Sequence, residues 1–369
     1  MKKTGLLLII ICCLTGCYQG TGNTSITGVI KGLSNDTLYL YAINGTIDQI
    51  DTIIAKSDKF SYKLTVDTIT TAYLHFKNGT EHPVFLNKGN HIKINGDIAH
   101  LNELKIKGNL CDEEYTDFKG TLQKLSIRNH ETERKIAGNF IKQHNTSYIS
   151  IYLLEKYFVE ADSIEVDKMR ELIKSMTGTL QDNLYITKLS ESLDRMYNAS
   201  VGKYASYFNL PDGKGKRIIR TSDEYKNKVI LLQFWASWSD SCHTANNKLR
   251  RIYKAYNDNK NFKMISVSFD MDKKTWENTI KKDTLKWKQT IEAESFNSST
   301  AQNFAIQQLP TTIIISKDGK IAARGNLSEQ ALKKTINREL AAKPAIINSP
   351  ILPPPAGNPK RKTFTHNKL

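Results

Sequence analysis

The sequence predicts a multi-domain chain: an N-terminal all-β sandwich or barrel, a helical connector and a C-terminal α/β domain. Three stretches carry that reading. Residues 24–108 hold short alternating runs broken by turn signals, as half-buried strands do. Residues 109–200 change to apolar residues at helical spacing. Val229–Trp235 is a continuous apolar run broken only by Gln233, and a helical pattern follows it with Ala245, Leu249, Ile252 and Tyr256 on one face. A run of that length suits a strand covered on both faces, in the middle of an α/β sheet.

Length and composition agree with several domains. A chain of 369 residues exceeds what one hydrophobic core usually serves. With 39% apolar and 24% charged residues, wholesale disorder is excluded. The formal net charge of +16 could point to an anionic partner. No basic helix or aromatic–basic platform accompanies it, so it reads as a solvated basic surface, with no nucleic-acid partner.

The chain opens on an export signal, residues 1–16. Lys2 and Lys3 are its basic end, and Leu6 to Cys13 an apolar core too short to span a membrane. Leu14-Thr15-Gly16-Cys17 resembles the lipobox of bacterial lipoproteins, which implies cleavage before Cys17 and lipidation of that residue. No acidic run follows Cys17, so the expected location is the cell envelope, at the inner or outer membrane, lipid-anchored and facing the periplasm. Removal of the signal leaves Cys17, Cys111 and Cys242. In an oxidising compartment the last two could pair, or each could be buried and inert. No Cys/His spacing reads as a metal site, no cofactor is implied, and His75, His82, His91 and His100 are expected at the surface.

After a tether, 17–23, the β domain shows Thr37–Tyr41, the alternation of Phe60, Tyr62 and Leu64, and that of Ile92 and Ile94. Asn44-Gly45, Asn78-Gly79 and Lys88-Gly89-Asn90 mark turns. In the connector, Asp162 with Glu165 suggests a capping box before Val166, Met169, Ile173 and Met176. Asn145 and Thr146 suggest caps before Ile149, Leu153, Leu154 and Phe158. The α/β domain spans 201–343, with a second strand at Phe262–Phe269 and helices at Thr275–Lys282 and Asn297–Ile306. A strand follows Leu309-Pro310-Thr311-Thr312, then come the Lys317-Asp318-Gly319-Lys320 turn and a helix capped by Ser328. The Pro-rich basic tail, 344–369, is expected to be disordered.

The stretch Phe234-Trp235-Ala236-Ser237-Trp238, followed by Ser239, Asp240, Ser241 and Cys242, resembles the active site of TlpA/ResA-type thioredoxin-fold proteins. Tyr207–Gly213 resembles that family's entry motif and Pro310-Thr311-Thr312 its proline segment. Domain order resembles that of bacterial lipoproteins with a β domain of unknown function before the thioredoxin fold. The resemblance implies thiol–disulfide oxidoreductase ancestry, with Trp235, Trp238, Asp240, Ser241, Pro310 and Thr311 around the motif. It also implies a cis bond at Pro310 and, beside it, a groove where an envelope protein or peptide pairs as an extra strand.

The family carries Cys-x-x-Cys after the second Trp; here the first position is Ser239 and only Cys242 remains. A hydroxyl cannot form a disulfide, so the dithiol cycle is closed to this motif. The reading is a redox-impaired, membrane-anchored family member that binds polypeptide or serves envelope redox homeostasis. Two alternatives use Cys242: single-thiol exchange, or a thiol peroxidase of the Ser-x-x-Cys kind. The peroxidase pattern carries a proline where this chain has Trp235. His243 could act as base for either, although a solvent-facing helix residue is the plainer expectation.

Overall fold

The computed structural model describes residues 23–42, 49–212 and 215–343. The signal segment, Cys17, nearly all of the tether, the Asn44-Gly45 turn, Gly213 and the 344–369 tail lie outside the described residues. The chain divides into two compact units, one up to Ile186 and one from Thr187.

The first unit is built on β1 (Asn23–Lys31), β2 (Thr37–Tyr41), β3 (Asp51–Ile54), β4 (Lys59–Thr65), β5 (Thr70–His75), β6 (Glu81–Leu86), β7 (His91–Asp97) and β8 (Lys105–Lys107). They form two four-stranded sheets, ordered β4-β1-β7-β8 and β3-β2-β5-β6. Along β1, Thr24, Ile26, Gly28 and Ile30 turn inward while their neighbours turn out, the period-two pattern of a half-buried strand. One core joins Ile26, Ile30, Ile92 and Ile94 of the first sheet to Leu38, Leu40, Leu74 and Val84 of the second. Of the two forms expected, this is the sandwich; among the described residues no barrel closes. The strand β1 pairs antiparallel with β4 yet parallel with β7, a crossover the local pattern does not announce.

Helices α1 (Leu110–Gln123), α2 (His130–Gln143), α3 (Ile149–Leu154) and α4 (Val166–Ser175) complete this unit, with a π-helical turn at Glu155–Val159. The stretch read as a connector does not stand apart: as far as Ile186 it belongs with the sheets. The reason is apolar surface. Phe85 of β6 meets Tyr115 of α1 and Tyr152 of α3 in edge-to-face contacts at 5.9 and 5.4 Å. Asp112 accepts from the Phe85 N–H at 3.2 Å, fixing the first turn of α1 to that strand.

Two expected caps fail. Glu165 is the N-cap of α4 but makes no capping bond, because its carboxylate reaches Arg134 instead. Tyr148, not Asn145 or Thr146, precedes α3 and also caps nothing. The capping box lies at Asn129 and Thr132, opening α2. His82 is likewise a correction, being 5% exposed.

In the second unit, α5 (Leu184–Asn198) spans the division and β9 (Asn209–Pro211) pairs with β10 (Arg217–Ile219). Then follow β11 (Val229–Trp235), α6 (Asp240–Tyr256), β12 (Phe262–Ser268), α7 (Lys273–Lys282), β13 (Lys288–Ile291), α8 (Ser299–Asn303), β14 (Thr311–Ile315), β15 (Ile321–Gly325) and α9 (Glu329–Ala341). The sheet order is β13-β12-β11-β14-β15, so β11 is central. Every residue of β11 is buried. Val229, Leu231 and Trp235 pack with Leu249 and Ile252 of α6, while Ile230, Leu232 and Phe234 pack with Phe304 on the other face. Burial of one such aliphatic side chain contributes about 1.5–3 kcal/mol, and both layers hold β11 in place behind the helix it feeds. The helix expected at Asn297–Ile306 is shorter, a 3-10 turn at Ser295–Asn297 followed by α8, which starts from the Ser298 cap.

Candidate active site

The loop leaving β11 turns into α6 with Ser239 at the N-cap position, in extended conformation. A serine there ordinarily accepts from a backbone N–H of the first turn. Ser239 does not; its hydroxyl instead acts on the Cys242 thiol, one turn along, in the direction that favours the thiolate. The Cys242 N–H donates to the Ser239 carbonyl at 2.9 Å, so the backbone holds the two motif residues together.

Cys242 is fully buried, on the side of the sheet that carries Trp235, Leu249 and Trp276. Burial pushes its thiol above 9.0, and the Asp270 carboxylate pushes the same way. The Ser239 hydroxyl and a backbone hydrogen bond with Ala236 oppose the rise without cancelling it. At neutral pH this sulfur is a thiol, not a thiolate. Ser239 itself is half-buried, and Trp238, Asp240 and Ser241 are exposed, with Trp238 63% open.

Two carboxylates that sequence reasoning passed over organise the loop. Asp270, 3% exposed, accepts from the Ser237 N–H at 3.0 Å and from the Ser237 hydroxyl at 2.6 Å. Asp283, the C-cap of α7, lies 2.7 Å from His243 Nδ1. The other ring nitrogen of His243 lies 2.9 Å from the Ser237 carbonyl. The expected solvent-facing role for His243 is thus corrected: both nitrogens are engaged and the Asp283 bond raises its pKa above 6.5.

Behind this pair runs a buried polar chain. Asn246 Nδ2 donates to Asp283 at 3.1 Å, Gln233 Nε2 donates to Asn246 at 3.0 Å, and the Ser266 hydroxyl donates to Gln233 at 2.6 Å. Trp287 Nε1 closes the chain on Ser266 at 2.6 Å. The polar break at Gln233 in an otherwise apolar strand is the sequence signal that could have exposed it.

The Leu309–Pro310 peptide bond is cis. Leu309 packs against the core that holds Cys242 and Trp235. Pro310 and Thr311 are buried, and the Thr311 hydroxyl donates to the Gln308 carbonyl at 2.7 Å. Cys111 and Cys242 are both free and buried. Among the described residues no group of three metal-ligating side chains comes together.

Comparison with known proteins finds several similar chains. Residues 227–321 match the family described as Thioredoxin-like, and residues 24–115 match a domain of unknown function, DUF4369. The chain is 25% identical over 140 residues to the thiol-disulfide oxidoreductase ResA of Bacillus thuringiensis, covering 37% of this chain and 78% of that protein. It is 24% identical to ResA of Bacillus subtilis, over 37% of this chain and 75% of that one. A solved thiol-disulfide oxidoreductase from Bacteroides fragilis is 43% identical, with 37% of this chain and 98% of that one covered and a TM-score of 0.35. The thioredoxin domain of a thiol-disulfide oxidoreductase from Bacteroides vulgatus is 25% identical, covering 38% and 96%, with a TM-score of 0.34.

Proposed function

We propose that this chain, which belongs to the thioredoxin-like, thiol–disulfide oxidoreductase family, is a redox-impaired member that holds polypeptide at its former exchange site. The observation that carries the reading is the Ser239–Cys242 pair. In a dithiol cycle one thiolate attacks the substrate disulfide, a mixed disulfide forms as the other substrate sulfur leaves, and the second thiol then displaces the first. Two electrons pass to the substrate and the motif ends as a disulfide. Here the half-buried outer position carries oxygen, and the remaining sulfur is fully buried with a raised pKa.

Polypeptide binding needs no sulfur. Among the described residues the backbone N–H and C=O of Leu309 make no hydrogen bond, which suits an added strand, and Trp238 offers an exposed aromatic face. The partner would be an envelope protein or peptide. Lipidated Cys17 would anchor the chain to a membrane facing the periplasm; no helix of the described residues is long and apolar enough to cross one.

The test is reduction of insulin disulfides by dithiothreitol with the mature chain. The wild type should run at background, and Ser239→Cys should exceed it by about tenfold or more, because the exchange cycle then has both sulfurs. Equal rates for the two proteins would refute the impairment.

A further inference from the structure

The first unit contains a cavity of about 540 Å³, bounded by β6, α1, the start of α2 and the π-helical turn. That volume is in the range of small-molecule sites. Two ammonium groups line it. Lys119 Nζ lies 5.2 Å from the centre of the Tyr115 ring, and Lys156 Nζ lies 5.6 Å from that of Tyr152. Glu160 and Glu133 act on Lys156 through their charge.

The hydrogen bonds show what each amine still has to give. His82 Nδ1 is 2.9 Å from the Pro83 carbonyl, which can only accept, so this nitrogen carries the proton. Its Nε2 is therefore a lone pair and accepts from Lys119 Nζ at 2.9 Å. Lys119 spends a second proton on the Asn102 carbonyl at 3.4 Å and keeps a third. Lys156 donates to the Tyr152 hydroxyl at 3.2 Å and keeps two.

The other charges of the lining are largely committed. Arg128 is paired with Glu133 and Arg134 with Glu165. Glu81 accepts from the Tyr41 hydroxyl at 2.6 Å and lies 3.0 Å from His75 Nδ1. Glu160 and Asp162 remain, and both are exposed. Burial, and then the charge of Lys156, push Lys119 down to about 8, with Asp112 acting the other way. Glu160 and Glu133 act on Lys156 in the sense that favours its charge. Both amines thus line one concave site and feel each other's charge. A ligand that brought negative charge between them would relieve that repulsion. The positive end of α2, at His130, borders the same cavity.

We propose that this cavity binds a small anionic molecule, whose carboxylate or phosphate oxygens accept the free protons of Lys119 and Lys156. The site stands independently of the exchange chemistry in the second unit. Calorimetric titration of the mature full-length chain, at ionic strength fixed with sodium chloride, tests it with inorganic phosphate and with glucuronate as probes. Saturable binding of at least one probe is expected, with the probe that binds identifying the oxyanion. Lys119→Gln and Lys156→Gln should each weaken it about tenfold or more, as loss of a charge-assisted hydrogen bond does. Lys119→Arg and the remote strand substitution Lys63→Gln should leave it standing. Lys156 is exposed, so its replacement does not threaten the fold. Failure of both probes to saturate the wild type at tens of millimolar overturns the proposal, as does binding that survives Lys156→Gln.

Discussion

His243 Nδ1 lies 2.7 Å from Asp283 Oδ2, while Nε2 of the same ring lies 2.9 Å from the Ser237 carbonyl. A carboxylate and a carbonyl both accept, so the arrangement is complete only when both ring nitrogens carry protons. The imidazolium thereby ties the loop before Ser239 to the end of α7.

The tie should depend on pH. The Asp283 hydrogen bond raises the His243 pKa above 6.5 in the folded chain, partly offset by burial and by nearby Lys282. A raised folded-state pKa gives stability that is fully present below the unfolded value and is lost as pH climbs through the folded one. Urea unfolding of wild type and His243→Gln should therefore differ most below pH 6.5 and converge as the solution becomes alkaline. Nuclear magnetic resonance titration should place the wild-type His243 midpoint above 6.5 and the Asp283→Asn midpoint lower than the wild-type one. A wild-type midpoint at or below 6.5 is incompatible with the tie.

Cys242 should be a slow thiol. Burial raises its pKa above 9.0 and the Ser239 hydroxyl holds part of that rise back. The rate of alkylation by iodoacetamide, followed against pH in the folded chain, should have its midpoint above 9.0. Ser239→Ala should move it higher still, because the hydroxyl stabilises the thiolate. A midpoint below 9.0 would favour single-thiol chemistry, and an unmoved midpoint in Ser239→Ala would contradict stabilisation of the thiolate by that hydroxyl.

What the sequence disclosed, and what it withheld, follows the range of the forces involved. The strand Val229–Trp235 and the helix after it are written in local periodicity, and the apolar face of α6 lies where Ala245, Leu249 and Ile252 place it. The polar strand β13, Lys-Gln-Thr-Ile, has no such signature and exists because it pairs with β12. Asp270 and Asp283 reach the motif through the β12 and α7 crossover, and nothing near either residue in sequence signals that approach. The helices at Ile149–Leu154 and Val166–Ser175 lie where the apolar spacing put them, but their caps do not. Glu165 had a stronger partner in Arg134, 31 residues away.

The polar chain behind the motif allows a coupling test. Gln233 is fully buried, and its amide nitrogen donates to Asn246, which in turn donates to Asp283. Asn246→Leu removes the partner of that amide and should cost about 1–3 kcal/mol, the usual penalty for an orphaned buried donor. Gln233→Leu orphans Asn246 and Ser266 and should cost a similar amount. The double substitution should cost less than the sum by about 0.5–3 kcal/mol, since the bond between the two can be lost only once. All four tryptophans, Trp235, Trp238, Trp276 and Trp287, lie in the second unit, so intrinsic fluorescence in urea reports its unfolding. Additivity within about 0.3–0.5 kcal/mol, as for independent sites, would mean that the contacts of Gln233 and Asn246 do not act as one network, and that His243 is held by Asp283 without support from the sheet.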